Sequence, residues 1–544
     1  MIIKILISAL ASFILYWFSL PALNWRSVEF WFFVIEVLVI FIAVNGFAYL
    51  LELGRALKIV GGTKFRAHNI SMPKSKIFVG TLCVLGAIIL FIIGGGIVGM
   101  EIFNATSYRD LITISDGNFS EDISELSMSQ IPVVDRDTAS RLGKRKLGEM
   151  SDLVSQFEIL EHYTQINYNG SPYRVTPLAY GDPIKWLGNQ KEGIPAYIMV
   201  DMATQETSLV RLSEGMKYSP SEYFLRNLDR ALRFKFPTKI FDTISFEIDD
   251  EGTPYWIAPT ISYKIGIWSG KDIDGAVLMN AITGESKFYA LPEIPTWVDQ
   301  VFVSNLVVEQ LNYNGKFRSG FWNSIFGQRG VLQTTEGYNY IAINDDVYIY
   351  TGMTSVAGDE SNVGFVLSNM RTKETKFYTV PGAEEYSAMG SAQGQVQHLG
   401  YTATFPLLLN IGDRPTYFMS LKDSAGLVKM YAFVDVERYQ IVGTGATVNE
   451  AKTNYMSKLS GENISSPGAL KEASGNIAAI SSAVVDSNTI YYILLEEDAT
   501  VYTVKLEVSP YLPFFKAGDN VKMSYSEINE IIASVSDIAI VPAE

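Results

Sequence analysis

The chain has 544 residues, 48% of them hydrophobic, with a mean hydropathy of +0.14, too long for one compact core and too apolar for a disordered chain. Residues 1–100 hold 8 basic and 3 acidic side chains, a surplus of +5, while the remainder carries −20, which disfavours nucleic-acid binding by the larger part. The single cysteine, Cys83, excludes an intrachain disulfide framework and a thiolate metal cage.

Three apolar runs come first, at 2–23, 30–51 and 77–103, each long enough to cross about 30 Å of hydrocarbon as a helix. Lys4 precedes the first run, but no small-x-small cleavage pattern follows it, so the run reads as an uncleaved anchor rather than a signal peptide. The connection 52–76 carries Arg55, Lys58, Lys64, Arg66, Lys74 and Lys76, against a single Arg26 between the first two runs. Cationic loops stay inside, so the N-terminus is expected in the cytoplasm and residues after about 103 outside the cell membrane. Trp17, Trp25 and Trp31 then fall at the outer interface as an aromatic belt. Glu36 lies two turns into the second run, where a charge costs about 2.5–3.5 kcal/mol. Either the helix starts late or the bilayer thins, leaving Glu36 wet near the interface, or Glu36 makes an intramembrane polar contact or proton site between subunits of a homo-oligomer. Gly94, Gly95 and Gly96 in the third run permit close helix approach.

Beyond the spans, a unit recurs. Gly170-Ser171-Pro172-Tyr173 returns as Gly252-Thr253-Pro254-Tyr255. Asp201-x-x-Thr204-x-Glu206, Asn280-x-x-Thr283-x-Glu285 and Asn369-x-x-Thr372-x-Glu374 each separate two β-rich runs and are expected as hairpin tips, because Asp or Asn there bonds its own backbone. A looser fourth copy starts at Gly412-Asp413-Arg414-Pro415, with strands at 427–434 and 439–442. Helices are expected at 137–147, 296–311 and 383–399, after the capping box Ser219-Pro220-Ser221-Glu222 with Phe224, Leu225, Leu228 and Leu232 as one buried stripe, and after Thr447-Val448-Asn449-Glu450. A helix followed by an antiparallel sheet, several times over, is an α+β architecture.

A helix followed by strands that end in a tip such as Asn280-Ala281-Ile282-Thr283-Gly284-Glu285 resembles PepSY domains, extracytoplasmic modules associated with restraint of peptidases and envelope enzymes. Through Phe326-Gly327-Gln328-Arg329-Gly330 and Gly394-Gln395-Val396-Gln397-His398, the chain is also similar to a group of membrane-anchored envelope proteins of Gram-positive bacteria. The resemblance spans about residues 130–445, two tips lack the Gly, and it carries over no catalytic residues.

The C-terminal part offers β-runs at 477–485, 489–497, 501–508, 520–525 and 536–541, with Lys516-Ala517-Gly518-Asp519 as the turn into the fourth, which resembles an OB-fold barrel. From 477 onward it has three Lys, no Arg and ten acidic residues, a poor surface for nucleic acid and a better one for capping or protein contact.

Chemistry is sparse. His162 and His398 are far apart, and no zincin, serine-hydrolase or cysteine-nucleophile pattern occurs, so no catalytic residue, cofactor or metal ligand is expected. Gly443-Thr444-Gly445 has the order of a phosphate turn but reads as a plain strand-to-helix turn. Asp345, Asp346, Asp359, Glu360, Glu384 and Glu385 gather near Thr351 without an ordered calcium loop. The small residues Ala383, Ser387, Gly390, Ser391 and Gly394, ending at His398, suggest a helix for close packing or protein contact. The expected organisation is a three-helix membrane anchor (1–103), a first α+β module (104–215), a second, PepSY-like one (216–295), a β-rich third (296–380), a fourth α+β module (381–460) and an OB-like β-barrel (461–544). The expected role is an envelope scaffold or regulator that contacts the lipid bilayer and other envelope proteins. A carboxylate-dependent hydrolase and an oligomeric conduit with an extracellular vestibule are the alternatives.

Overall fold

The computed structural model describes residues 2–59, 76–125, 131–343, 345–356, 361–461, 471–485, 488–496, 498–527 and 532–541. The chain forms two compact units, Met1–Tyr455 and Met456–Glu544.

The first unit opens with helices α1 (Ile2–Ser19), α2 (Val28–Ile59) and α3 (Lys76–Val98). Two segments, Val28–Gly46 and Val79–Val98, are long and apolar enough to cross a membrane, with mean hydropathies of 2.2 and 2.6 and only 0% and 11% of their residues buried. The apolar stretch of α1, Lys4–Ser19, is shorter. The third run does not continue to 103 as one helix. It stops at Val98, and α4 (Glu101–Arg109) restarts the chain after Met100 adopts extended backbone. The Asn104 side-chain amide donates to the carbonyls of Val98 at 2.7 Å and Met100 at 2.9 Å, satisfying the freed acceptors at that corner. Of the cationic connection, Arg55 and Lys58 belong to α2 and Lys76 opens α3, while Lys64, Arg66 and Lys74 lie outside the described residues.

Helices α5 (Phe119–Asp122), α6 (Arg136–Gly148), α7 (Pro183–Asn189), α8 (Leu228–Lys235), α9 (Ser304–Lys316), α10 (Glu385–Gln395) and α11 (Val448–Gly461) alternate with four sheets. The second sheet is a plain antiparallel meander of Ser245–Ile248, Pro254–Ile265, Ser269–Asn280 and Ser286–Ala290. The first is built on Ser171–Tyr180, Ile194–Asp201 and Thr207–Met216, the third on Asp346–Ser355, Ser361–Asn369 and Thr375–Tyr378, and the fourth on Arg414–Lys422, Val428–Asp435 and Val442–Gly445.

All three expected tips join adjacent antiparallel strands. Their geometry is repeated atom for atom. Asp201 Oδ1 accepts the amides of Ala203 and Thr204 at 2.8 Å, Asn280 Oδ1 those of Ile282 and Thr283 at 2.9 Å, and Asn369 Oδ1 those of Arg371 and Thr372 at 2.9 Å. The next residue takes the left-handed conformation at Gln205 (φ 66°), Gly284 (φ 74°) and Lys373 (φ 64°), so the glycine is one solution and not a requirement. A fourth member, unmarked by the spacing rule, is Asp435, whose Oδ1 accepts the Arg438 amide at 2.8 Å. Each unit is closed by one carbonyl at the start of the tip: Met202 O takes the amides of Val133 and Val134, Ala281 O those of Lys217 and Tyr218, Met370 O those of Val301 and Phe302, and Val436 O that of Ala383. The closing amides come from the strap ahead of each unit's helix.

Two helix starts differ from expectation. Ser219-Pro220-Ser221-Glu222 does not open a helix: a 3₁₀ turn covers Phe224–Arg226, and α8 begins at Leu228 with Asn227 Oδ1 accepting the Arg230 amide. Glu222 is drawn away from capping, buried where it accepts the Tyr180 hydroxyl at 2.9 Å and the Trp186 indole at 2.7 Å, and Phe224 and Leu225 remain exposed. Helix α9 starts at Ser304 rather than 296, because the preceding strap is committed to Met370 O. Thr447 does cap α11, its hydroxyl accepting the Glu450 amide at 3.2 Å.

One core runs between sheets. Ile257, Ile273 and Leu278 of the second sheet and Ile349, Met353 and Val366 of the third pack against Leu306, Val307 and Leu311 of α9. In the second unit Lys471–Val485, Asn488–Leu495, Val501–Lys505, Ile532–Ile540 and Asn520–Glu527 pair in that order, and the last pairs back to the first.

The folded part is joined to α3 by two glycines. A side chain at Gly95 would overlap the ring of Trp268, in the turn between the two long strands of the second sheet, and one at Gly99 would overlap Ser269, where the second of those strands begins. Gly94 and Gly96 face open space. Replacing Gly95 with Leu is expected to lower the thermal midpoint of the purified chain in detergent, by an overpacking cost of about 1–3 kcal/mol. Gly94→Leu should leave the midpoint unchanged or raise it, and equal effects of both would refute the contact.

Candidate functional site

A cavity of about 1410 Å³ opens between the sheets, lined among others by Asp135, Lys144, His162, Arg174, Tyr340 and Phe405. Its floor is set by the start of α6. Asp135 caps that helix by accepting the Thr138 amide at 2.9 Å, and both its oxygens receive the Lys422 ammonium at 2.7 Å from the fourth sheet. Burial pushes the Asp135 carboxyl up, but the bonds from Lys422 and Thr138 outweigh it and hold the group below the usual range. At the rim, Lys144 pairs with Glu161 at 3.2 Å and His162 is exposed.

Arg174 is the unusual member. It is 6% exposed and has two long hydrogen bonds, to Gln165 Oε1 at 3.3 Å and Val134 O at 3.5 Å; among the described residues it makes no ion pair, though the Asp135 charge across the cavity favours its cationic form. Burial pushes its guanidinium down to about 10, so it stays a cation at neutral pH. Most buried arginines are paired. Here the bonds made among the described residues engage only Nε and Nη2, and the residue lines the cavity, which suits a carboxylate or another anionic oxygen group. The repeat held a signal for it: Gly170-Ser-Pro-Tyr173 is followed by Arg174, where Gly252-Thr-Pro-Tyr255 is followed by Trp256.

Behind the cavity sit two enclosed carboxyl groups. Glu247, 0% exposed, accepts the amides of Asp299 at 2.8 Å and Gln300 at 3.0 Å and the Ser245 hydroxyl at 3.1 Å. Asp299, 1% exposed, accepts the Asn167 amide at 2.6 Å. Burial raises Glu247 to about 7; burial, then the Glu247 charge, raises Asp299 well above the carboxylate range. Asp345 and Asp346 add repulsion at Asp299, and Arg371 offsets Asp346 through two bonds of 2.7 and 2.9 Å. The pair therefore holds protons inside the junction of the first and second sheets with the strap before α9, sealed from any substrate.

The residues singled out from sequence do not converge. Glu36 is exposed on α2. On α10, Ala388 and Ala392 are buried against the fourth sheet, Ala383 is buried just ahead of the helix, Ser387 and Ser391 are half-buried, and Gly390, Gly394 and His398 are exposed. Gly443 and Gly445 press on the backbone of α11 at Tyr455 and Ala451, which fills the place a phosphate would need. Glu385 is buried under the Tyr350 hydroxyl at 2.8 Å, Asp359 and Glu360 lie outside the described residues, and among the described residues no cluster is arranged for a metal.

No family model matches the chain, and no curated protein does.

The enclosed carboxyl pair sets a pH dependence. Glu247 binds its proton more tightly folded than unfolded, so its contribution is complete below the ordinary glutamate range and is lost as pH rises through about 7. The thermal midpoint is expected to fall between pH 5 and pH 8, by an equivalent on the order of a few kcal/mol, and Glu247→Gln should flatten that slope. A wild-type midpoint that rises over this interval would refute the assignment.

Proposed function

We propose that this chain is a membrane-anchored extracytoplasmic scaffold or regulator that binds other envelope proteins, taking an anionic segment of a partner into the cavity at Arg174. The observation that carries this reading is the buried guanidinium, which makes no ion pair among the described residues, in a cavity larger than most small-molecule pockets. The repeated helix-and-sheet unit supports the PepSY-like reading. In the second unit, the order first-second-third-fifth-fourth with a parallel third-fifth pair supports the OB-like one. The −20 surplus argues against nucleic acid as the partner.

We place the chain in the cell membrane, with three spans, a cytoplasmic N-terminus and residues after about 103 outside. The folded part bonds to the α1–α2 connection, where the Leu23 amide donates to Pro237 O at 2.7 Å and the Asn24 side-chain amide to Thr238 O at 2.9 Å. That end of α2 is opposite the one that carries Arg55 and Lys58, which supports the inside assignment of the cationic connection. We propose binding without catalysis. The carboxyl pair that a hydrolase would use is enclosed, so the alternative lacks access as well as a nucleophile.

The test uses the full chain in detergent and fluorescent peptides of mixed sequence, with acidic side chains and a free terminus or as their neutral, amidated counterparts. Acidic peptides should bind about tenfold or more tightly, and Arg174→Gln should abolish the difference. Equal binding of both sets by the wild type would overturn the proposal.

A further inference from the structure

Two exposed apolar knobs flank the ends of the apolar helices, and both lie in stretches of sequence richer in basic than in acidic residues, in a part of the chain that is otherwise strongly acidic. The first joins α7 to the turn before α8: Ile184, Leu187, Phe224 and Leu225 are 79%, 60%, 64% and 62% exposed. Phe224 holds a left-handed backbone (φ 52°), a conformation that costs a bulky residue free energy and turns its ring outward rather than into the α8 stripe. Residues 217–239 around it hold six basic and two acidic side chains. The second is Trp322 and Phe326, stacked at 5.9 Å and 62% and 78% exposed, in 316–329, a stretch with three basic side chains and no acidic one.

Each knob is tied to a helix end. Arg230 donates to Phe224 O at 2.6 Å while its guanidinium lies 4.5 Å from the centre of the Trp17 ring on α1, and Phe234 of α8 meets the rings of Tyr16 and Trp17 at 6.0 and 5.8 Å. On the other side a file of rings runs from Tyr108 of α4 through Tyr313, Phe317 and Phe321 to Trp322, with centroid spacings of 4.6 to 6.3 Å. The level of the folded part along α3 is fixed independently: the Trp268 ring packs on Phe91 at 5.5 Å, and Phe91 precedes the end of α3 at Val98 by seven residues, about 10 Å of helix. A hairpin that reaches this far down the apolar helix brings its neighbours to the level of the lipid headgroups.

The geometry points to a second membrane attachment: the knobs at Phe224–Leu225 and Trp322–Phe326 insert into the outer interface of the same bilayer, with nearby exposed cations such as Arg318 and Arg329 on anionic phospholipid headgroups. Apolar rings at the acyl boundary with cations above them are the arrangement of interfacial segments, which sit about 5–10 Å deep. The inference rests on the reading of α2 and α3 as membrane spans, and Cys83 on α3, exposed and the only cysteine, allows the two to be separated.

The full chain is placed in nanodiscs of phosphatidylcholine with and without phosphatidylglycerol. A nitroxide is attached either to native Cys83 or, in a Cys83→Ser background, to Phe224→Cys, Leu225→Cys, Trp322→Cys, Phe326→Cys or the exposed Ser424→Cys of the fourth-sheet turn. Collision rates with oxygen and with a water-soluble nickel chelate are measured. The expected result is a nickel rate at the four knob positions at least about threefold below that at Ser424, deepened by phosphatidylglycerol. Knob labels as open to nickel as Ser424, with Cys83 still shielded, would overturn the second attachment and leave the spans standing. A nickel-accessible Cys83 would overturn the spans and this inference with them.

Discussion

Each repeated unit depends on a backbone carbonyl one residue beyond its last-but-one strand. Met202, Ala281, Met370 and Val436 stand where the strand ends in Asp or Asn, and that side chain holds the tip so that the next carbonyl points at the strap ahead of the unit's helix. The constraint is non-local in every copy. It ties the beginning of a unit to its end, decides where the helix can start, and makes α9 the shared filling of two sheets, since its strap is clipped to the third sheet while its apolar face also meets the second.

This explains which parts of the architecture were readable in the residues. The tips are local: Asp201, Asn280 and Asn369 bond to amides two and three positions on, so spacing alone identifies them. The start of α9 is not local, because Thr296 to Val303 are held by a partner nearly seventy residues away. Glu222 fails as a cap for the same reason; Tyr180 of the first sheet and Trp186 of α7 compete for it. The cavity and the enclosed carboxyl pair are assembled wholly from such distant neighbours. Arg174 stood out only as a departure within a repeat, and Glu247 and Asp299 gave no sequence signal, since either residue type is ordinary at a strand or strap exposed to water.

The glycines of α3 divide in a way composition alone does not reveal. Gly94 to Gly96 look like a helix-dimer seam, yet only Gly95 is in contact, and its contact is with Trp268 of the same chain. Four residues on, Gly99 repeats the approach against Ser269, and its carbonyl also accepts the Tyr108 hydroxyl at 2.7 Å. One face of the helix is thereby used up inside the molecule, and any association between copies through α3 has to use another.

The seat of Trp268 on Gly95 also governs how the cavity meets the world. An ectodomain on a loose tether sweeps a hemisphere, and a partner must find it at the right tilt as well as the right place. With Trp31, Phe91 and Trp268 packed in series, tilted and edge-on, at 5.0 and 5.5 Å, swivelling about the anchor would break ring contacts at every step. In the bilayer proposed above, Arg174 would be presented at constant height and bearing, so a neighbour confined to the same plane would search two dimensions and a single angle.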